Sequence, residues 1–156
     1  MLVISHYYWQ SAVVPRYHPW RQLRNMFPHV TITTRQPLAG DLKGAWTRHG
    51  IHLHEGLNQA GRRSTLTHEL IHRERGTVCT GDASDREERI VDEIAARRLI
   101  PLDELLDVLL WTESRVGIEA AEELWSNAHM LGVRVQTLTD DERAYMAKEL
   151  QRRQPW

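Results

Sequence analysis

The chain has 156 residues, of which 41% are hydrophobic and 26% charged, a composition that suits one soluble globular domain with a sizeable core. Its 20 basic and 21 acidic residues leave a formal charge of −1, so there is no cationic field to hold a nucleic-acid backbone, and nucleic acid is not the expected partner. The densest apolar run, Leu105 to Trp111, is interrupted by Asp107 and falls well short of the ~20 residues of a membrane span.

The single cysteine, Cys79, cannot form an internal disulfide, and the opening Met1–Ser5 and His6 have neither the charge nor the apolar length of a secretory signal, so the expected compartment is the cytoplasm. No repeat divides the sequence, and residues 1–156 read as a single domain. Pro19 suits the first turn of a helix, and Trp20, Leu23, Arg24 and Phe27 keep helical spacing until Pro28. Val30 and Ile32 alternate with Thr31 and Thr33 as in a half-buried strand, and Pro37 to Asp41 reads as a turn. Ala45–Arg48 and Ile51–His54 flank His49-Gly50, a pair able to supply the positive φ of a tight hairpin.

From Ser64 the apolar period becomes helical. Leu66, Leu70 and Ile71 share one side, and Gly76 follows Arg75 as a left-handed stop. Ser84 and Glu87 have capping-box spacing ahead of a stripe of Ile90, Val91, Ile94, Ala95 and Leu99 that runs to Pro101. Further helices are expected at Leu102–Leu110, at Ile118–Leu131 before Gly132, and after Thr139, where Glu142 repeats the capping-box spacing. A small early sheet followed by helices makes the fold class α+β.

The strongest chemical signal is His68-Glu69-Leu70-Ile71-His72 on the first of these longer helices. At about 100° per residue, four steps return to nearly the same face, so both imidazoles can reach one zinc ion, while Glu69 stands at the rim of that face. There it can take a proton from a metal-activated water and pass it to a leaving amine, which is amide hydrolysis in outline. A third protein ligand is needed. A histidine six residues after His72 is absent, because position 78 is Val78. The next helix offers Glu87, Glu88, Asp92 and Glu93. Asp85–Arg89, Arg89–Glu93 and Glu93–Arg97 are opposite-charge pairs at i,i+4, whereas Glu88 and Asp92 are a like-charge pair that a cation would relieve. Glu88 is therefore the expected third ligand and Asp92 the carboxylate that holds a ligand imidazole by its free N–H.

The segments Thr65-Leu66-Thr67-His68-Glu69-Leu70-Ile71-His72, Glu88-Arg89-Ile90-Val91-Asp92 and Ala95-Ala96-Arg97-Arg98-Leu99-Ile100-Pro101 together resemble the ImmA/IrrE family of small metallopeptidases. In that family a TLAHELGH-like segment precedes an E-x-E-A-N-x-F-A-A-x-L-L-M-P-like helix. Anchored on Pro101, the resemblance places Glu88 on the first glutamate and Asp92 on the Asn or Asp position. Ile51–Leu53, Leu57 and Arg62-Arg63 extend it upstream, so it covers about residues 44–101 and leaves 102–156 as a helical extension. Ile90 and Ile94 depart from the family's glutamate and phenylalanine, and Arg97-Arg98 enters a usually apolar stretch. The resemblance implies a minimal zincin-like fold of the gluzincin type, zinc as the ion with manganese an alternative in vitro, and an endopeptidase that cleaves a regulatory protein such as a transcriptional repressor in phages, mobile elements or stress responses.

An extended peptide substrate would pair with an exposed strand edge, for which the hairpin at Gly44–His54 is the candidate, with Trp46 either a substrate-facing wall or hairpin packing. His49, His52 and His54 form a small cluster, and Cys79 lies between the two site helices. Tyr7, Tyr8, His129 and Tyr145 are of suitable type to stabilise an oxyanion. Leu124 to Leu138 has the spacing of a helix, turn and helix, but Glu113 to Trp156 carries six basic against eight acidic residues, which favours helical packing or a protein partner over DNA. The rival to the peptidase is a non-catalytic, metal-stabilised adaptor that binds a repressor or DNA through its C-terminal helices.

Overall fold

The computed structural model describes residues 15–76 and 82–153. In chain order they form α1 (Pro19–Met26), β1 (Ile32–Gln36), the hairpin β2 (Gly44–Thr47) and β3 (Gly50–His54), then α2 (Gln59–Arg75), α3 (Asp82–Leu99), α4 (Leu102–Trp111), α5 (Ile118–Glu123), α6 (Ala128–Gln136) and α7 (Asp140–Arg153). This is the α+β class expected from the sequence. None of the described helices is long and apolar enough to cross a membrane.

The sheet is mixed and ordered β1-β3-β2, with β1 parallel and β2 antiparallel to the central β3. Trp46 stands opposite Ile51 and Gly44 opposite Leu53. Gly50 has φ +122, and a Cβ there would fall 2.2 Å from the carbonyl oxygen of Thr31, so the backbone just ahead of β1 passes too close for any side chain. β2 pairs on one side only among the described residues and is therefore an edge.

α2 is the spine of the molecule. Its Leu66 and Leu70 join Leu23, Ile51 and Leu53 in a small cluster beneath the sheet. Ile71, a third of a turn away, joins the larger helical core that includes Val91, Ala95, Leu99, Leu106 and Leu131. Fully burying such side chains contributes roughly 1.5 to 3 kcal/mol each, so α2 is held from both sides and its remaining face is left for polar groups.

Four boundaries differ from the expectation, each for a local reason. β1 lies two residues later than the Val30–Thr33 pattern, because it is Ile32 and Thr33 that pair with Ile51 and His52. α2 begins at Gln59 and not Ser64, because the Asn58 side chain accepts from Gly61 N at 2.8 Å and caps a first turn that has no apolar stripe. α3 is already helical at Asp82, so Ser84 lies inside it. The continuous helix expected over Ile118–Leu131 is two helices: Trp125 takes φ +54, Asn127 caps α6 by accepting from Met130 N at 2.8 Å, and Gly132 lies within α6. The apolar spacing runs straight across this break and conceals it.

At α7 the capping box forms as expected, Glu142 N donating to Thr139 Oγ1 at 3.1 Å and Thr139 N to Glu142 Oε2 at 2.9 Å. Glu142 also receives Arg97 at 2.9 Å and Arg134 at 2.8 Å, tying α3, α6 and α7 together around a guanidinium whose side chain is 3% exposed. The Arg134 hydrogen bond is the chief cause that holds the Glu142 carboxyl at about 2, against an ordinary 4.5. Because the folded value is depressed, the stability this group contributes is full above pH 4.5 and is lost as pH falls towards about 2. Chemical denaturation of Glu142→Gln at neutral pH is expected to show a loss on the order of 2 kcal/mol, from charge-assisted hydrogen bonds that the amide does not reproduce. Its stability should also vary less than wild type across that acid window; an unchanged acid limb would contradict this origin of the shift.

Candidate metal centre

His68 and His72 project from α2 one turn apart, their rings in edge-to-face contact with centroids 4.6 Å apart. The sequence around them favours a stiff support: Thr65, Leu66, Thr67, Leu70 and Ile71 are all buried, and Thr67 Oγ1 donates to Arg63 O at 2.8 Å. α3 brings Glu88 across to them. Its Oε2 lies 3.1 Å from His68 Nε2, its Oε1 lies 3.1 Å from His72 Nε2, and the two Nε2 atoms are 3.0 Å apart. These residues form a group that can hold a metal ion, and no second such group occurs among the described residues.

The spacing is a test of fit. Tetrahedral coordination with metal–nitrogen distances of roughly 2.0 to 2.1 Å sets ligand atoms about 3.3 Å apart, close to the observed separations. A single proton can bridge one pair of these lone-pair-bearing atoms, whereas a divalent cation serves both imidazoles and the carboxylate together. The acids on α3 are sorted by their partners. Glu87 turns to Arg75, Glu93 reaches Arg97 at 3.3 Å, and Glu88 faces the imidazoles, as the charge pattern anticipates.

Asp92 occupies the other side of His68, with Oδ1 2.8 Å from His68 Nδ1, and its Oδ2 lies 2.7 Å from His129 Nε2. It therefore fixes the tautomer that leaves the His68 Nε2 lone pair free for a metal. Burial acts to raise the Asp92 pKa, but the hydrogen bonds from both histidines outweigh it and hold the carboxyl below its ordinary range. Burial acts to lower His68, yet the Asp92 hydrogen bond and the carboxylates of Asp92, Glu69 and Glu88 raise it overall. His72 is lowered, by burial first and then by His68, which favours the neutral ligating form.

Glu69 lies in the same cleft, of about 930 Å³, walled by β2 on one side and by Asn127, His129 and Met130 of the α6 end on the other. Burial, reinforced by Glu88 and opposed by His68, raises its pKa above the usual carboxylate value. The β2 backbone crosses directly over it: a Cβ on Gly44 would lie 2.6 Å from Thr65 Cγ2 and 3.1 Å from Glu69 Oε1. Gly44 is thus a site residue that its sequence context does not reveal, since a lone glycine at a strand start carries no distinctive signal.

Trp46 packs within the fold and also lines the cleft. Its Nε1 donates to Glu69 O at 2.8 Å while its ring meets Phe27 edge-on and underlies the Arg73 guanidinium at 5.6 Å. His129 enters the cleft because α6 starts afresh at Asn127, whereas Tyr145 binds Asp103 at 3.3 Å and is not part of the cleft lining. His54 Nδ1 accepts from Gly56 N at 3.0 Å and Arg48 Nε donates to His49 Nε2 at 2.9 Å, so these two histidines of the hairpin region are engaged locally. Tyr7, Tyr8 and Cys79 lie outside the described residues.

Comparisons with models of known protein families, with curated proteins and with solved structures find no match to this chain. The site therefore stands on its own geometry. Asp92→Asn is expected to weaken zinc binding about 10- to 100-fold in chelator competition, because the amide disturbs the orientation and basicity of His68 without removing a ligand. An unchanged affinity would mean that Asp92 does not act through His68.

Proposed function

We propose that the protein is a zinc-dependent endopeptidase with a minimal zincin-like, gluzincin-type fold, acting on a protein or peptide substrate. A regulatory protein such as a repressor is the substrate class that the family resemblance suggests. The observation that carries this reading is the placement of Glu69, a carboxylate of raised pKa, in one cleft with the convergent His68, His72 and Glu88. Two imidazoles and one carboxylate form a donor set that suits zinc and leaves a coordination position open. An ion held there would supply Lewis acidity, polarising water and the scissile carbonyl.

The chain's own residues do the rest. The exposed edge of β2 can receive an extended peptide as an added strand, its backbone paired with residues 44–47 and its scissile bond carried over Gly44 towards Glu69. Glu69 takes the proton that the attacking water loses as the new C–O bond forms. It then gives that proton to the amine nitrogen as the C–N bond breaks. A raised pKa keeps the carboxylate basic enough for the first step and acidic enough for the second. His129 is of the right type to donate to the carbonyl oxygen as charge grows there, and Asp92 holds it in the cleft. The adaptor alternative gains no support from the donor group, because a structural site normally closes its fourth position with a protein ligand, and the group has three members among the described residues.

Glu69→Gln removes the proton acceptor and no ligand. It is expected to abolish cleavage of a co-encoded repressor, or of a general protein substrate such as casein, while zinc remains near one equivalent by elemental analysis. Loss of metal together with activity would contradict this separation of base from ligands.

A further inference from the structure

The cleft has a corner that proton transfer does not use. Its floor is acidic, with Glu69, Glu88 and Asp92, and Asp41 stands on the rim, but on the β2 side Lys43 and Arg73 also line it. Arg73 differs from the arginines near it. Arg75 pairs with Glu87, Arg97 with Glu142 and Arg98 with Glu74, whereas neither Arg73 nor Lys43 has a carboxylate partner among the described residues. The Arg73 guanidinium instead lies over the Trp46 indole at 5.6 Å, and that indole is anchored through Nε1 to Glu69 O at 2.8 Å. This cation–π contact holds the charge at the cleft wall, and a guanidinium there offers N–H groups in a fork that matches a carboxylate.

Strand geometry says which substrate residue would meet it. The Gly44 Cβ direction and the Trp46 side chain both point to α2, since the first would strike Thr65 and the second bonds Glu69 O. Residues directly opposite one another on neighbouring strands share a face, so the peptide residue opposite Trp46 also turns its side chain towards α2, beside Arg73. It stands two positions, roughly 7 Å, from the residue over Gly44 and Glu69.

We propose that Arg73, held over Trp46 and assisted by Lys43, selects peptides with an aspartate or glutamate two residues to one side of the bond held over Gly44. This rests on the peptidase reading for the bond that is cut, but the charge preference itself is a property of the cleft wall. Charge-assisted pairing with this guanidinium should favour the acidic side chain over its amide by about five- to tenfold.

The test has two arms. Zinc-loaded protein is incubated with a dodecapeptide mixture of random sequence, and the products are sequenced by mass spectrometry. Separately, the Glu69→Gln protein is titrated with fluorescein-labelled dodecapeptide pools in which one central position is fixed as Glu, Gln or Lys, and anisotropy reports binding. The expected result is acidic enrichment at one fixed position two residues from the cut, tighter binding of the Glu pool than the Gln pool, loss of both preferences in Arg73→Gln, and a reversal towards lysine in Arg73→Glu. Arg73 is exposed, so both variants should fold. Cleavage without acidic enrichment, or enrichment that survives Arg73→Glu, overturns the proposal. If nothing is cut, the binding arm decides: a Glu-over-Gln preference that depends on Arg73 sustains the selectivity and removes the peptidase reading, and equal binding of the pools removes the selectivity.

Discussion

Two imidazole Nε2 atoms on one helix and the two oxygens of a carboxylate on the next stand 3.0 to 3.1 Å from their nearest partners, and the rest of the site depends on how that approach is enforced. Ion pairs flank it. Arg75–Glu87 and the two-pronged Arg98–Glu74 contact, at 2.9 and 2.7 Å, join α2 to α3, but half-exposed pairs of this kind contribute roughly 0 to 1 kcal/mol each. Burial of Ile71 against Val91 and Ala95 contributes more, at roughly 1.5 to 3 kcal/mol for each large side chain. Apolar packing therefore sets the distance between the helices, and the ion pairs help to set their axial register. Asp92, half-buried and bonded to two histidines, aligns the His68 imidazole.

The candidate metal cleft draws on more of the chain than the stretch 44–101 that carries the motifs. The α6 wall exists because Trp125 turns the chain and Asn127 restarts it as a helix. That turn is fastened to α2 from below, where the buried Arg63 donates to Trp125 O and to Tyr17 O at 2.9 Å each, and Ser64 Oγ accepts from Asn127 N at 3.1 Å. The residues just ahead of the metal-binding pair thus position the opposite side of the cleft. The start of α6 lines the cleft instead of standing apart from it.

Much of this was legible in the sequence because periodicity and charge act locally. His68 and His72 share a face by helical spacing alone, and the like-charged Glu88 and Asp92 marked where a cation would be welcome. Elsewhere the deciding interactions are not periodic. The first turn of α2 carries no apolar stripe and is announced only by Asn58, while the break at Trp125 is hidden by apolar spacing that continues through it. Gly44 is informative only once Thr65 and Glu69 are seen beneath it, since a close approach between distant segments leaves no trace in either one. His129 was recognisable by type, but its meeting with Asp92 is a tertiary contact that no local pattern encodes.

The central claim is that one divalent ion is shared by His68, His72 and Glu88. Zinc-edge X-ray absorption on stoichiometrically loaded protein tests it most directly, with wild type compared to His72→Ala and Glu88→Ala. A shared ion predicts two imidazole scatterers and additional oxygen ligands in wild type, one imidazole fewer in the first variant, and an intact imidazole pair with altered oxygen ligation and weaker retention in the second. Identical spectra and retention in all three proteins would mean that the ion sits elsewhere.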